Sequence, residues 1–256
     1  MSILKKAIVL LFIFPANANV HSSTVFNREV NCPLCDTVIT YWGQSSYSIF
    51  TYGLDLKPMG AAFVPQPIPK CGNCGFAFIE DYFTGEEIQQ LKKYIIDQNI
   101  FSGKEKYPAY YYLALAVELA GRKDYEEIAY FYVCSVWEYS RNKLIIEYAK
   151  ELEEVEIENL DGIYFDNDIF MLLMRTAVKK INNMDKDSEE FDNMQLVKLD
   201  FLRRLGLFNE AKRTIENIKN NKRFYREIVT DIVAHQIKLI KNKDMDEHNL
   251  EEMNQE

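Results

Sequence analysis

Histidine is scarce in this chain: His21, His235 and His248 are the 3 among 256 residues. None pairs with another in the spacing of a metalloprotease helix, and no Gly-x-Ser-x-Gly elbow is present. Glycine is thin as well, with 10 residues, and none of them builds a glycine-rich phosphate loop. His21 falls in a polar stretch, His248 near the last residues and His235 on a helix face, all poor places for a general base. These absences remove the common catalytic signatures and point to a protein that is not an enzyme. Basic residues are outnumbered, 30 Lys and Arg against 39 Asp and Glu, for a net charge of −9. Beyond short pieces such as residues 219–226 there is no basic cluster, which argues against a nucleic-acid partner. Long apolar runs are missing too. The one at residues 7–14 is far short of the roughly 20 residues that span a bilayer, so no membrane span is expected in the mature chain.

That short run has another reading. In "MSILKKAIVLLFIFPANA" two lysines precede it and Ala16-Asn17-Ala18 follows it in the small-x-small pattern of signal peptidase. Residues 1–18 are thus expected to be a signal peptide, with cleavage after Ala18 and an exported, periplasmic or secreted product. Residues 19–30 look like a polar linker.

Residues 31–83 are richer in cysteine and proline than the rest. They carry Cys32-Pro33-Leu34-Cys35 and Cys71-Gly72-Asn73-Cys74, separated by short β-type runs at 37–42 and 47–56, with a third at 75–83. Two C-x-x-C pairs at this separation are the pattern of a tetrahedral four-thiolate site. In such a knuckle the backbone turns back on the first sulfur, and the residue after the second cysteine needs positive φ. Gly75 adopts that freely, and Asp36, at the matching place, tolerates it better than most residues. A lobe of this size rarely folds without a staple, which a structural zinc would supply. The same four cysteines could form disulfides in an oxidising compartment or hold iron. C-G-N-C also matches a thioredoxin-like motif, but no apolar strand leads into it and no helix follows. Cys134, among Tyr132, Val133 and Val136, reads as a small buried hydrophobe.

From Thr84 the pattern becomes helical. Thr84 and Glu87 form a capping-box signature. Helices are expected over 107–121, 124–140, 144–155, 165–182, 189–206, 208–219 and 223–241, with a polar, disordered tail over 244–256. The Tyr-rich start at 107–112 is read as packing between helices. The acidic run at 150–162 reads as a solvated face, and residues 185–192, without the glycine and closing glutamate of a calcium loop, as a loop. Residues 112–135 and 195–218 place apolar positions at similar offsets, each with a glycine closing its first helix, in the manner of a tetratricopeptide repeat.

"VNCPLCDT", "PKCGNCGFAFIEDYF" and "LRRLGLFNEA", taken together, resemble an uncharacterised bacterial family, number 2225 in the domain-of-unknown-function series. The resemblance implies a four-cysteine ribbon joined to tetratricopeptide-like helices, with Cys32, Cys35, Cys71 and Cys74 at the metal positions. Members generally look cytoplasmic, whereas this chain carries an export pattern. The expected fold is a small β-rich zinc-ribbon-like lobe (31–83) followed by an all-α, tetratricopeptide-like domain (84–243). The expected function is a scaffold for a protein or peptide partner, with a thiol-redox or metal-handling role as the alternative.

Overall fold

Proline, glycine and serine give way to helix formers near residue 84, and the architecture changes there. The computed structural model describes residues 24–61, 63–101, 106–151, 165–188, 190–221 and 227–254. The leader expected at 1–18, residues 19–23 and residues 152–162 of the acidic run lie outside the described residues.

The first part is β-rich. β1 (Thr24–Asn31) pairs antiparallel with β2 (Val38–Ser46), and β3 (Ser48–Tyr52) with β4 (Pro58–Ala61), as two separate two-stranded sheets. The linker expected over 19–30 is corrected from Thr24 onward, where it is a strand. Nearly all its side chains are exposed, so no apolar alternation betrays it. Its ladder to β2 sets Asn27 opposite Trp42 and Val30 opposite Ile39. The run at 75–83 forms no strand beyond an isolated bridge between Lys70 and Ala77. It packs instead: Phe76 and Phe78 are buried, their rings stacked with centroids 5.4 Å apart.

The rest is helical: α1 (Gly85–Lys92), continuing as a π-helical turn over Lys93–Asp97, α2 (Ala109–Leu119), α3 (Tyr125–Glu151), α4 (Asn167–Ile181), α5 (Phe191–Arg204), α6 (Phe208–Asn220) and α7 (Glu227–Asn242). The capping box opens α1 as expected, with Thr84 Oγ1 accepting from Glu87 N and Glu87 accepting from Thr84 N. The two helices expected over 124–140 and 144–155 are one continuous α3, because residues 141–143 hold neither glycine nor proline to break it. No helix of the described residues is long and apolar enough to cross a membrane.

From α2 to α7 each helix packs on the next, and α5 also meets α7. Two helices close in the same way. Gly121 (φ 77°) and Gly206 (φ 70°) take the left-handed conformation, and Arg122 N reaches Val117 O at 3.3 Å as Leu207 N reaches Leu202 O at 2.9 Å. α7 repeats the closure with a non-glycine residue, Lys243 (φ 56°), and Asp244 N bonds Leu239 O at 2.9 Å. Ala211, which has no accessible surface, lets α6 approach closely.

One apolar core runs through lobe and helices alike, from Cys32, Leu34 and Phe76 to Tyr112, Phe131 and Leu199. The Tyr-rich start of α2 belongs to it, with Tyr110 and Tyr112 buried. Polar ties cross the same boundary. Lys70 Nζ donates to Tyr107 O at 2.8 Å and lies 4.5 Å above the Tyr112 ring. Arg122 pairs with Glu87 at 2.6 Å and donates to Tyr82 O at 2.8 Å.

The expected disordered tail is a second correction. Residues 244–254 lie on the lobe and on α5. Leu54 N donates to His248 O at 3.0 Å, Leu250 N to Tyr52 O at 2.9 Å, and Gly53 bridges Asn249. Beneath them Arg203, with no accessible surface, donates to Asp200 (2.8 Å), Gln236 (3.0 Å), Asp244 O (3.0 Å) and Asp246 O (2.7 Å). Arg204 lies 3.6 Å from both Asp55 and Asp200 and 3.3 Å from Glu247. Lys57 reaches Ser140 at 2.7 Å and Glu247 at 3.6 Å. The segment is polar because it supplies counter-charges to a buried network.

Candidate metal centre

Two tight hairpins bring the four cysteines together. In the first, Cys32 N bonds Thr37 O and Asp36 N bonds Cys32 O, both at 2.9 Å. In the second, Cys71 N bonds Phe76 O and Gly75 N bonds Cys71 O, both at 2.8 Å. Asp36 (φ 58°) and Gly75 (φ 75°) take the positive φ that the sequence called for. The two knuckles are therefore the same turn built twice. The first is the tip of the β1–β2 hairpin, and the second is closed by the Lys70–Ala77 bridge. At Gly75 a Cβ would come 3.1 Å from the Cβ of Phe101, a tight contact that adds to the strain a side chain meets at this φ.

The four sulfurs lie within 4.8 Å of one another. Cys32 to Cys74 and Cys35 to Cys71 are each 3.6 Å, and Cys35 to Cys74 is 3.7 Å. A tetrahedron of thiolates about 2.3 Å from a zinc ion has edges of about 3.8 Å. A disulfide would need about 2.05 Å, and all four are free thiols. The donor set thus fits one tetrahedral metal ion, and the four sequence-predicted ligands converge as a single site. Cys32 and Cys71 are fully buried, whereas Cys35 and Cys74 are partly exposed.

Without a cation the four thiols do not ionise alike. The hydrogen bond shared with Cys74 chiefly pulls Cys32 down to about 5. That bond, with burial, holds the Cys74 proton firmly, and burial raises Cys71. Burial also opposes ionisation of Cys35, but hydrogen bonds from Thr37 outweigh it and lower the thiol. Four thiolates this close repel one another, and a cation at their centre removes that cost. Four sulfur ligands fill a tetrahedral sphere and leave no position for a substrate, so the centre is suited to holding structure.

Cys134 stays apart from this cluster, fully buried in α3, and burial pushes its thiol up. His235 and His248 are near each other, with ring centroids 6.2 Å apart, but His248 is engaged by Asp244 at 3.1 Å and by Glu252. The buried charge network was not foreseen. A signal for it exists in α5, where Asp200 and Arg203 continue the apolar positions Leu196 and Leu199 at helical spacing.

Comparison with protein-family models finds no match, and comparisons with curated proteins and with solved structures find none that is significant. The family resemblance therefore rests on the residues quoted for it.

Proposed function

We propose that this protein is a non-enzymatic, exported scaffold. A structural zinc held by Cys32, Cys35, Cys71 and Cys74 staples its lobe, and its helical layer binds a protein or peptide. The observation that carries the metal half is the closed set of four sulfurs at nearly tetrahedral spacing on two preformed knuckles. The leader pattern at residues 1–18 supports export. The serial helix packing supports the binding half, since such arrays bind through exposed faces between helices. The partial exposure of Cys35 and Cys74 favours a second reading, metal exchange with another protein.

One experiment separates these. Metal content and thiol reactivity are measured on protein purified from its native compartment. One zinc per chain, with thiols that react only after chelation, supports the structural centre. Zinc that passes within minutes to a weaker chelator supports exchange. Absence of metal, with thiols that appear only on reduction, overturns both.

A further inference from the structure

Two concavities lie side by side between α6 and α7, of about 520 and 260 Å³. Ile215 and Ile240 line the first and Ile218 the second, while Ile237, 38% exposed, borders both and joins them into one groove. Lys212, Lys241 and Lys243 line the first and Lys219 the second, and all four are exposed. Among the described residues no carboxylate lines either concavity, although acidic residues outnumber basic ones in the chain. None of the four lysines has an ion-pair partner there, in contrast to Lys57 and Lys180.

The groove also has a place in the architecture. Among the described residues α6 and α7 are the final α-helices of the series, and the groove between them offers a further helix the kind of packing each helix makes with its neighbour. The apolar floor suits the apolar stripe of a helix, as in helix-in-groove recognition. The lysines ask for carboxylates on the helix's flanks. At the groove's end Lys243 holds the left-handed position that Gly121 and Gly206 fill in the equivalent closures, so a cation stands where glycine would be easier.

We infer that the α6–α7 groove docks an acidic amphipathic helix of a partner protein, which packs as the next member of the array. The inference rests on the scaffold reading and specifies its partner. The test uses the full chain with its metal centre intact. A displayed library of 16-residue helices carries a fixed apolar stripe of Leu and Ala, with the flanking positions drawn from Glu, Lys, Gln and Ser. Enriched sequences should be Glu-rich on the flanks. Their affinity should fall about tenfold or more in the Lys212→Glu, Lys241→Glu double variant, and should also weaken with added salt. Both lysines are exposed, so an unchanged helical spectrum is expected and confirms that the variant folds. Enrichment without acidic bias, or binding untouched by the double variant, overturns the inference. If such binders cross-link to another face of the helical layer, the scaffold reading survives. If no sequence is enriched, both readings fall. Displacement of the selected helix by a peptide of residues 150–162 makes the chain's own acidic segment the occupant and overturns the partner in trans.

Discussion

Arg203→Met should destabilise the protein far more than a typical surface change. The guanidinium has no accessible surface, and its five contacts reach α5, α7 and the 244–252 segment through Asp200, Gln236, Asp244 and Asp246. Methionine fills much of the stem volume but leaves Asp200, itself 1% exposed, with Arg204 as its remaining counter-charge 3.6 Å away. Breaking a buried pair by removing one partner costs about 3–5 kcal/mol. For a chain of this size that corresponds to a fall in Tm of roughly 6–20 °C. The control is Arg213→Met, an exposed arginine whose contact to Asn209 O is 3.5 Å long, expected to change stability by less than about 0.5 kcal/mol. Denaturant titration measures both. Hydrogen exchange then reads the second consequence: the amides of Leu54 and Leu250, which bond across the lobe and the 244–252 segment, should lose protection first. A chain truncated after Asn242 should share the loss, so its effect and that of Arg203→Met should be less than additive. A cost below about 1 kcal/mol, or full additivity with the truncation, would refute the view that Arg203 clamps this segment.

Gly75→Ala should cost about 1–3 kcal/mol, because φ is positive there and the added methyl would press on Phe101, whereas Asp36→Gly should be neutral or stabilising; thermal unfolding of protein supplied with zinc compares them. Cys71→Ser should abolish stoichiometric metal and leave the other three ribbon thiols open to alkylation, read by mass spectrometry. Burial, aided by repulsion from Asp200, raises Asp55 from 3.8 to about 6 despite Arg204, so its folded form favours the proton; that contribution is full below pH 3.8 and lost as pH rises through about 6. Asp55→Asn should flatten the stability profile across that window. Burial would lower His248, but hydrogen bonds to Glu252 and Asp244 overcome it and raise the imidazole above 6.5; its contribution is full below pH 6.5 and lost as pH climbs past the raised value, and His248→Gln should remove that slope in pH-dependent denaturant titrations.

The parts of this molecule legible in its sequence are those whose cause is local. A C-x-x-C knuckle is set by a few consecutive residues, so the positive φ at Asp36 and Gly75 could be named in advance, as could the capping box at Thr84 and the glycine closures at 121 and 206. The convergence of the two knuckles follows from ligand chemistry, which needs four donors and finds them in two pairs. What was hidden depends on distant partners. β1 is almost wholly exposed and is a strand only because β2 supplies its ladder. The segment beyond residue 243 is polar in any local reading. Its carboxylates find partners in Lys57, Arg203 and Arg204, far away along the chain. Charge pairing at such separation leaves no periodicity, apart from the misplaced Asp200 and Arg203 on the buried stripe of α5.

The bonds from Tyr52 and Leu54 to residues 248 and 250 also order events in time. The bonds that close the knuckle pair reach no further than Phe78, so the four thiols can bind a metal ion while most of the chain is still being made. The β3–β4 edge cannot be completed so early. That edge finds its last partners nearly two hundred residues later, when the helices between have already been synthesised. Contacts of such long sequence separation are slow to form, because the loop between them must be closed first. Until then Lys57 and Arg204 await Glu247, and the helical layer lacks its cover. The last-made segment is therefore the one that completes the fold, and a ribosome halted before residue 247 should hold a metal-loaded ribbon beside helices that have not yet locked to it.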